Sequence, residues 1–156
     1  MVLLRIRGER FNTKPRINKG ILGGNKMSFV KPEKNYETKI RYRMSSRDVY
    51  YGGGIVNGAR SITILGDVAE KLMCEVYGNF GKCMELEHVR LHAPVYAGDY
   101  IEFIGRVVEV DGDVAKIECR SYKIAAIPKE PEFESSIEIY EDPTLSASFV
   151  GYFKSR

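Results

Sequence analysis

Residues 57–78 read NGARSITILGDVAEKLMCEVYG, and this stretch decides the fold. Its apolar side chains recur at the spacing of one helix face: Ile62, Leu65, Ala69, Leu72 and Val76. The spacing predicts one long amphipathic helix that begins near Asn57. Gly78 follows the last apolar position, where a glycine commonly ends a helix. No other part of the chain shows a comparable helical pattern.

The remaining regular stretches have the patterns of strands. Residues 36–44 alternate between apolar and charged side chains, which is typical of a strand with one wet face. Four more strands are predicted at 84–91, 100–110, 114–124 and 145–153, and residues 127–143 are expected to form a long acidic connection. Asp111-Gly112-Asp113 indicates a hairpin. One helix must bury its apolar stripe, so the order predicts an α+β fold with an antiparallel sheet wrapped around one long central helix. A free sheet edge favours pairing of two copies.

The charge of the chain is unevenly distributed. Residues 1–26 carry seven basic side chains and one acidic side chain, a net +6, whereas the remaining residues sum to −3. We predict a basic tail at 1–26 and a single domain at 27–156. Gly23-Gly24-Asn25-Lys26 can be encoded by an A/G-rich ribosome-binding site, so we expect the tail to be an extension ahead of a true start at Met27. An arm that binds nucleic acid is the alternative.

Composition argues against several classes of protein. No apolar run approaches the ~20 residues that span a bilayer, and residues 1–26 lack the pattern of a secretory signal. The three cysteines form no CxxC pair, and with only two histidines a closed zinc site is not expected. We therefore expect a reduced, cytoplasmic protein without a metal.

Several motifs carry a resemblance to a known family. Residues 44–53 read MSSRDVYYGG and residues 56–60 read VNGAR; Gly66-Asp67-Val68 and the APVYAGDY of residues 93–100 match as well. The chain resembles the acyl-CoA ammonia lyases, hotdog-fold enzymes of amino-acid fermentation that act on 3-aminobutyryl-CoA or β-alanyl-CoA. The resemblance implies a hotdog fold and reversible elimination of ammonia from a 3-aminoacyl-CoA to an enoyl-CoA. It further implies an active site at the interface of a homodimer or trimer of dimers, with coenzyme A as part of the substrate and no other cofactor.

Four residues are candidates for catalysis. Asp48 lies between the first strand and the helix, where a carboxylate could act as the base or hold the ammonium group; capping a turn is the alternative. Asp67 lies opposite the apolar stripe of the helix, where thioesterases of this fold often place an acid. A solvated face or an ion pair with Arg60 is the alternative for Asp67. Tyr50 and Tyr51 could hydrogen-bond the substrate or pack.

Six further residues are candidates for substrate binding. Backbone N–H groups where a helix begins stabilise a developing oxyanion, which suggests a role for Gly53, Gly54, Asn57 and Gly58. A tight turn and a helix cap are the structural alternatives for this segment. Arg60 and Arg90 complete the set. Arg90 is expected to alternate onto one strand face with His88 and His92 and to contact phosphates of coenzyme A, with a solvated face as the alternative.

Two positions leave other functions open. The family usually has His where this chain has Tyr50, and Glu where it has Arg90. These differences fit a different acyl-CoA substrate or a paralogous partner subunit that binds a CoA thioester with impaired catalysis. An acyl-CoA thioesterase that uses Asp67 or Asp48 to activate water is a further alternative.

Overall fold

The computed structural model of the protein describes residues 27–156, so the predictions for the basic tail at 1–26 lie outside the described residues. One long helix and five strands make up this part of the chain. They are β1 (Glu37–Arg43), α1 (Gly58–Tyr77), β2 (Lys82–Leu91), β3 (Tyr100–Asp111), β4 (Val114–Ala126) and β5 (Glu138–Lys154), with short 3₁₀ turns at Ser46–Asp48 and Gly52–Gly54.

The five strands form one antiparallel sheet in the order β1-β3-β4-β5-β2. The helix α1 packs against β1, β3, β4 and β5 on one face of this sheet. The predicted α+β architecture, with an antiparallel sheet around one central helix, is confirmed. The hairpin at Asp111-Gly112-Asp113 joins β3 to β4, and Gly112 has a positive φ of 57°. We call the face of the sheet away from α1 the outer face.

The apolar stripe of α1 forms the centre of the core. Leu65, Ala69 and Leu72 are completely buried, as their spacing predicts. Asn57 caps the helix, because its side-chain oxygen accepts a hydrogen bond from the amide of Ala59 at 3.0 Å. At the other end Gly78 is left-handed and its amide donates to the carbonyl of Cys74, which closes the helix.

The prediction of a long connection over 127–143 is wrong at its C-terminal end. The strand β5 begins at Glu138, since Ile139 and Glu138 pair with Ala125 and Ala126 at the end of β4. Pairing then stops and resumes at Thr144. Pro143 lies within this interruption, where no ladder hydrogen bond is required of its missing N–H. Glu141, Asp142 and Pro143 therefore lie in an irregular strand, whereas residues 127–137 form the predicted connection.

A buried ion pair joins the start of β3 to β4. Lys123 Nζ lies 2.8 Å from Asp99 Oδ2, and their side chains are 11% and 5% exposed. The same oxygen accepts a hydrogen bond from the amide of Tyr96 at 2.8 Å. Asp99 thereby closes the turn over residues 96–99, which supports the loop described below.

We predict that Lys123→Met destabilises the fold strongly. The substitution leaves the buried Asp99 carboxylate without its cation, a change that typically costs about 3–5 kcal/mol. Lys154→Met is the matched control, because Lys154 and Asp113 form an ion pair at 3.5 Å in which both side chains are more than half exposed. Urea unfolding should show a shift of ~0.5 kcal/mol or less for the control. Equal losses in the two variants would contradict this role of Asp99.

Candidate active site

The segment between β1 and α1 forms a glycine loop, residues 45–56, at the start of the helix. Gly53 and Gly54 have φ values of 77° and 78°, a region that L-residues rarely adopt. A Cβ built on Gly52, Gly53 or Gly54 would meet no atom within 4 Å. The backbone angles therefore require the glycines at positions 53 and 54, and the space beside them stays open in the described chain.

The turn at 93–99 holds the glycine loop in place. Val56 N donates to the carbonyl of Val95 at 2.8 Å, and Ala97 N donates to the carbonyl of Gly54 at 3.0 Å. Gly98 N donates to the carbonyl of Met44 at 2.7 Å, where the loop leaves β1. The APVYAGDY motif and the glycine motif are thus brought together as one backbone-bonded unit.

Asp48 is the most heavily bonded carboxylate of the site. Its Oδ2 accepts hydrogen bonds from Ser45 N at 2.8 Å, Ser45 Oγ at 3.1 Å and the Tyr42 hydroxyl at 3.3 Å. Its Oδ1 accepts from Arg60 Nε at 2.9 Å. Burial favours the neutral acid, but the donors from Ser45 and Arg60 outweigh it and hold the pKa of Asp48 below its ordinary 3.8. Asp48 is therefore held as an anion that joins β1, the turn and α1.

None of the three partners of Asp48, which are Ser45, Tyr42 and Arg60, was predicted from the sequence. Ser45 caps the 3₁₀ turn and forms a reciprocal capping box with Asp48. The spacing Ser-x-x-Asp is the signal that could have revealed this pairing. Tyr42 lies on β1, and its ring is partly buried against the core while its hydroxyl reaches Asp48. The capping alternative that sequence analysis left open for Asp48 is thus present in the structure.

Asp67 has a very different environment. It lies on the exposed surface of α1, and within residues 27–156 it forms no hydrogen bond or ion pair. The ion pair with Arg60 that sequence analysis left open is absent in this part of the chain, because Arg60 turns toward Asp48. Asp67 is thus a carboxylate left available on the helix, and its catalytic role stays a prediction.

The start of α1 combines a cap with close packing. Asn57 uses its side-chain oxygen for the cap, which is the structural alternative given for it above. A Cβ on Gly58 would overlap the side chain of Leu91 from β2, so glycine is required for this close approach. Tyr50 and Tyr51 lie on the glycine loop, 80% and 54% exposed, with their rings edge to face at 5.7 Å. They pack against each other and leave most of their surface uncovered.

Arg90 lies on a different face from the helix start. It pairs with Ser148 on the outer face, whereas the neighbouring Leu91 pairs with the buried Ala147 and reaches Gly58. The expected alternation of His88, Arg90 and His92 is interrupted, because the register shifts between Glu87 and Arg90 and His88 has a φ of 52°. The structure thus separates Arg90 from the glycine loop, and its contact with coenzyme A stays a prediction.

Within 27–156 no group of three or more His, Cys, Asp or Glu side chains is arranged to hold a metal ion. None of the helices in the same range is long and apolar enough to cross a membrane.

Comparison with known proteins identifies the family. A curated 3-aminobutyryl-CoA ammonia lyase of Acetoanaerobium sticklandii is 36% identical over 106 residues, which span 68% of this chain and 83% of that protein. The chain belongs to the acyl-CoA ammonia-lyase family. No protein-family model matches it. The resemblance noted from the glycine motifs is confirmed.

Solved structures agree with this assignment. The beta-alanyl-CoA:ammonia lyase from Clostridium propionicum superposes with a TM-score of 0.71 at 27% identity and covers 76% of this chain and 84% of its own. A hexameric thioesterase from Yersinia pestis superposes with a TM-score of 0.60 at 10% identity over 75% of this chain and 84% of its own. The thioesterase likeness shows the hotdog fold alone.

We predict that the stabilising effect of Asp48 depends on pH. A carboxylate whose pKa is lowered in the folded state stabilises the fold above its ordinary pKa of 3.8, and loses that effect as the pH falls through the folded value. Asp48→Asn should cost ~1–3 kcal/mol at pH 7, because Arg60 and Ser45 lose an ionic acceptor. The difference in the free energy of unfolding between wild type and variant should narrow below pH 3.8. Unfolding titrations at several pH values measure this difference.

Asp67→Asn is the control for that measurement. Because Asp67 is exposed and unpaired in the described chain, its variant should unfold within ~0.5 kcal/mol of wild type. A pH-independent gap for Asp48→Asn would argue against the anionic form of Asp48.

Proposed function

We propose that this chain is a carbon–nitrogen lyase that reversibly eliminates ammonia from a 3-aminoacyl-CoA, similar to 3-aminobutyryl-CoA, to give an enoyl-CoA. The observation that carries the proposal is the 36% identity to a 3-aminobutyryl-CoA ammonia lyase over 106 residues. The supporting geometry is a glycine loop that is open at its surface, beside a helix start and within a rigid backbone frame.

The reaction needs three functions from the protein. A base removes the proton on the carbon next to the thioester, the electrons form the carbon–carbon double bond, and the carbon–nitrogen bond breaks with its pair on nitrogen. Charge develops on the thioester oxygen, where backbone N–H groups at the start of α1 can stabilise it. The thioester itself acidifies the carbon, so we propose no metal or redox cofactor and count coenzyme A as part of the substrate.

The two aspartates have different proposed roles. Asp67 is the candidate for proton transfer, because its carboxylate has no competing donor in the described chain. Asp48 is held anionic by Ser45, Tyr42 and Arg60 and is proposed to position the glycine loop and the first turn of α1. Water activation by Asp67 would instead give a thioesterase, the second candidate function.

A homodimer through the edge strand β2 is part of the proposal. All but one residue of β2 are exposed, including Met84, Leu86, Val89 and Leu91. The other edge of the sheet, β1, carries the charged residues Lys39, Arg41 and Arg43, which discourage edge-to-edge pairing. Pairing of β2 with its copy would cover apolar side chains next to Gly58, which places the interface beside the glycine loop. We further place the protein in the cytoplasm, where its three cysteines stay free.

We predict that crotonyl-CoA loses its enoyl-thioester absorbance only when ammonium is present, without release of free thiol. Following absorbance and thiol together separates the alternatives. Thiol release would indicate the thioesterase, and the absence of both signals would favour a different acyl-CoA or a binding subunit. Asp67→Asn should lower kcat at least ~100-fold with KM little changed. Glu75→Gln, another exposed carboxylate of α1, should keep wild-type kinetics.

We predict that Val89→Lys breaks the β2 dimer and leaves little activity, because a charge enters the apolar edge that meets its copy. Light scattering should show a lower mass than that of wild type, and the ammonium-dependent assay measures the activity. Val30→Lys is the matched control, since Val30 is 59% exposed against 47% for Val89 and lies outside β2. A mass equal to that of wild type for Val89→Lys would contradict this interface.

A further inference from the structure

A second exposed apolar surface lies away from β2 and the glycine loop, within and beside the connection from β4 to β5. Its large side chains are 45–68% exposed: Ile127, Phe133, Ile137 and Ile139. Phe133 lies at the tip of a closed turn. Its carbonyl accepts from Ser136 N at 3.0 Å, and its amide donates to Ser136 Oγ at 2.9 Å. The turn therefore presents Phe133 between Glu132 and Glu134 in a defined shape, which we call the tip, residues 132–134.

A groove of about 330 Å³ lies on the outer face of the sheet near its β1 edge. Its lining includes Lys39, Arg41, Tyr100, Glu102, Ile124 and Ile139. The volume and the mainly apolar lining suit one large side chain with its flanking backbone.

The charge of the groove is set by one neutralised pair and surplus cations. Glu102 is 2% exposed and accepts from Arg41 Nε at 2.6 Å, so this pair neutralises itself. Lys39 Nζ lies 3.7 Å from the same oxygen with its side chain 57% exposed. Next along β1, Arg43 covers the ring of Tyr100 at 5.2 Å. The β1 wall is therefore basic and the floor is apolar.

The opposite wall carries no charge where it lines the groove. It lies around the start of β5 and contributes Ile137, Ile139, Tyr140 and Pro143. An acidic occupant would therefore turn its carboxylates toward the basic β1 wall. This asymmetry makes the groove selective for the orientation of whatever enters it.

We propose that the groove receives the tip of a second copy of this chain. The tip matches the groove in both respects: Phe133 fills the apolar floor, and Glu132 and Glu134 face Lys39 and Arg43 on the β1 wall. The contact joins two different surfaces of the same chain, so it is heterologous and can link further copies into a closed ring. It uses neither β2 nor the glycine loop, so it is independent of the proposed ammonia-lyase activity and of the β2 dimer.

Light scattering of the purified full chain tests the proposal. Wild type should form an assembly larger than a dimer at micromolar concentration, and Phe133→Ala should reduce that mass to the dimer. The matched control is Phe80→Ala, because Phe80 is 67% exposed against 65% for Phe133 and lies in the turn after α1. The control should keep the larger assembly. A wild type no larger than a dimer, or an equal effect of both substitutions, would overturn the proposal.

Charge reversal tests the orientation separately. Lys39→Glu should weaken the larger assembly, and combining it with Glu132→Lys and Glu134→Lys in the same chain should restore it. Restoration requires the two surfaces to meet, which a general loss of stability would not produce. Circular dichroism checks that each variant is folded. Failure of the combined variant to restore the assembly would remove the β1 wall as the partner of the tip.

Discussion

The close approach of α1 to the sheet is the constraint on which the rest of the structure depends. A Cβ on Gly105 of β3 would lie 2.7 Å from Val68 Cγ1 and 3.0 Å from Leu72 Cδ1, so the helix packs almost directly on strand backbone. Val68 and Leu72 are completely buried there, and each such side chain contributes ~1.5–3 kcal/mol. Because these contacts fix the distance between α1 and the sheet, they also fix the position of Gly58 at the start of the helix and of Asp67 on its exposed face.

The glycine loop depends indirectly on this packing of α1 against the sheet. It is bonded by its backbone to the turn at 93–99 and by the Asp48 carboxylate to Arg60 on α1. At positions 53 and 54 the loop has no side chains that could pack. Its shape is therefore held by the Asp48–Arg60 ion pair on the helix side and by backbone hydrogen bonds on the sheet side. Such support is what a preorganised oxyanion site needs.

Periodicity was sufficient to predict most of this fold, and it failed where backbone pairing is irregular. The stripe through Leu65 and Leu72 located the helix and its buried face, because burial repeats with the helical turn. Period two cannot reveal a bulge, so neither the early start of β5 at Glu138 nor the interruption at His88 was predicted. In the site, the motifs identified Asp48 and Asp67 but could not show that only Asp48 is paired, since its partners come from three separate elements.

The different environments of Asp48 and Asp67 bear on which of the two transfers a proton. In a reversible elimination, the group that removes the proton in one direction must return it in the other, so it must cycle between its charged and neutral forms. Asp48 is poorly suited to that cycle, because protonation would leave Ser45 and Arg60 without an ionic acceptor. A permanent anion is instead suited to positioning, and to offsetting positive charge near the loop. Asp67 accepts from no such donors in the described chain, so it is the aspartate that we propose for proton transfer, on the helix face that the sheet leaves uncovered.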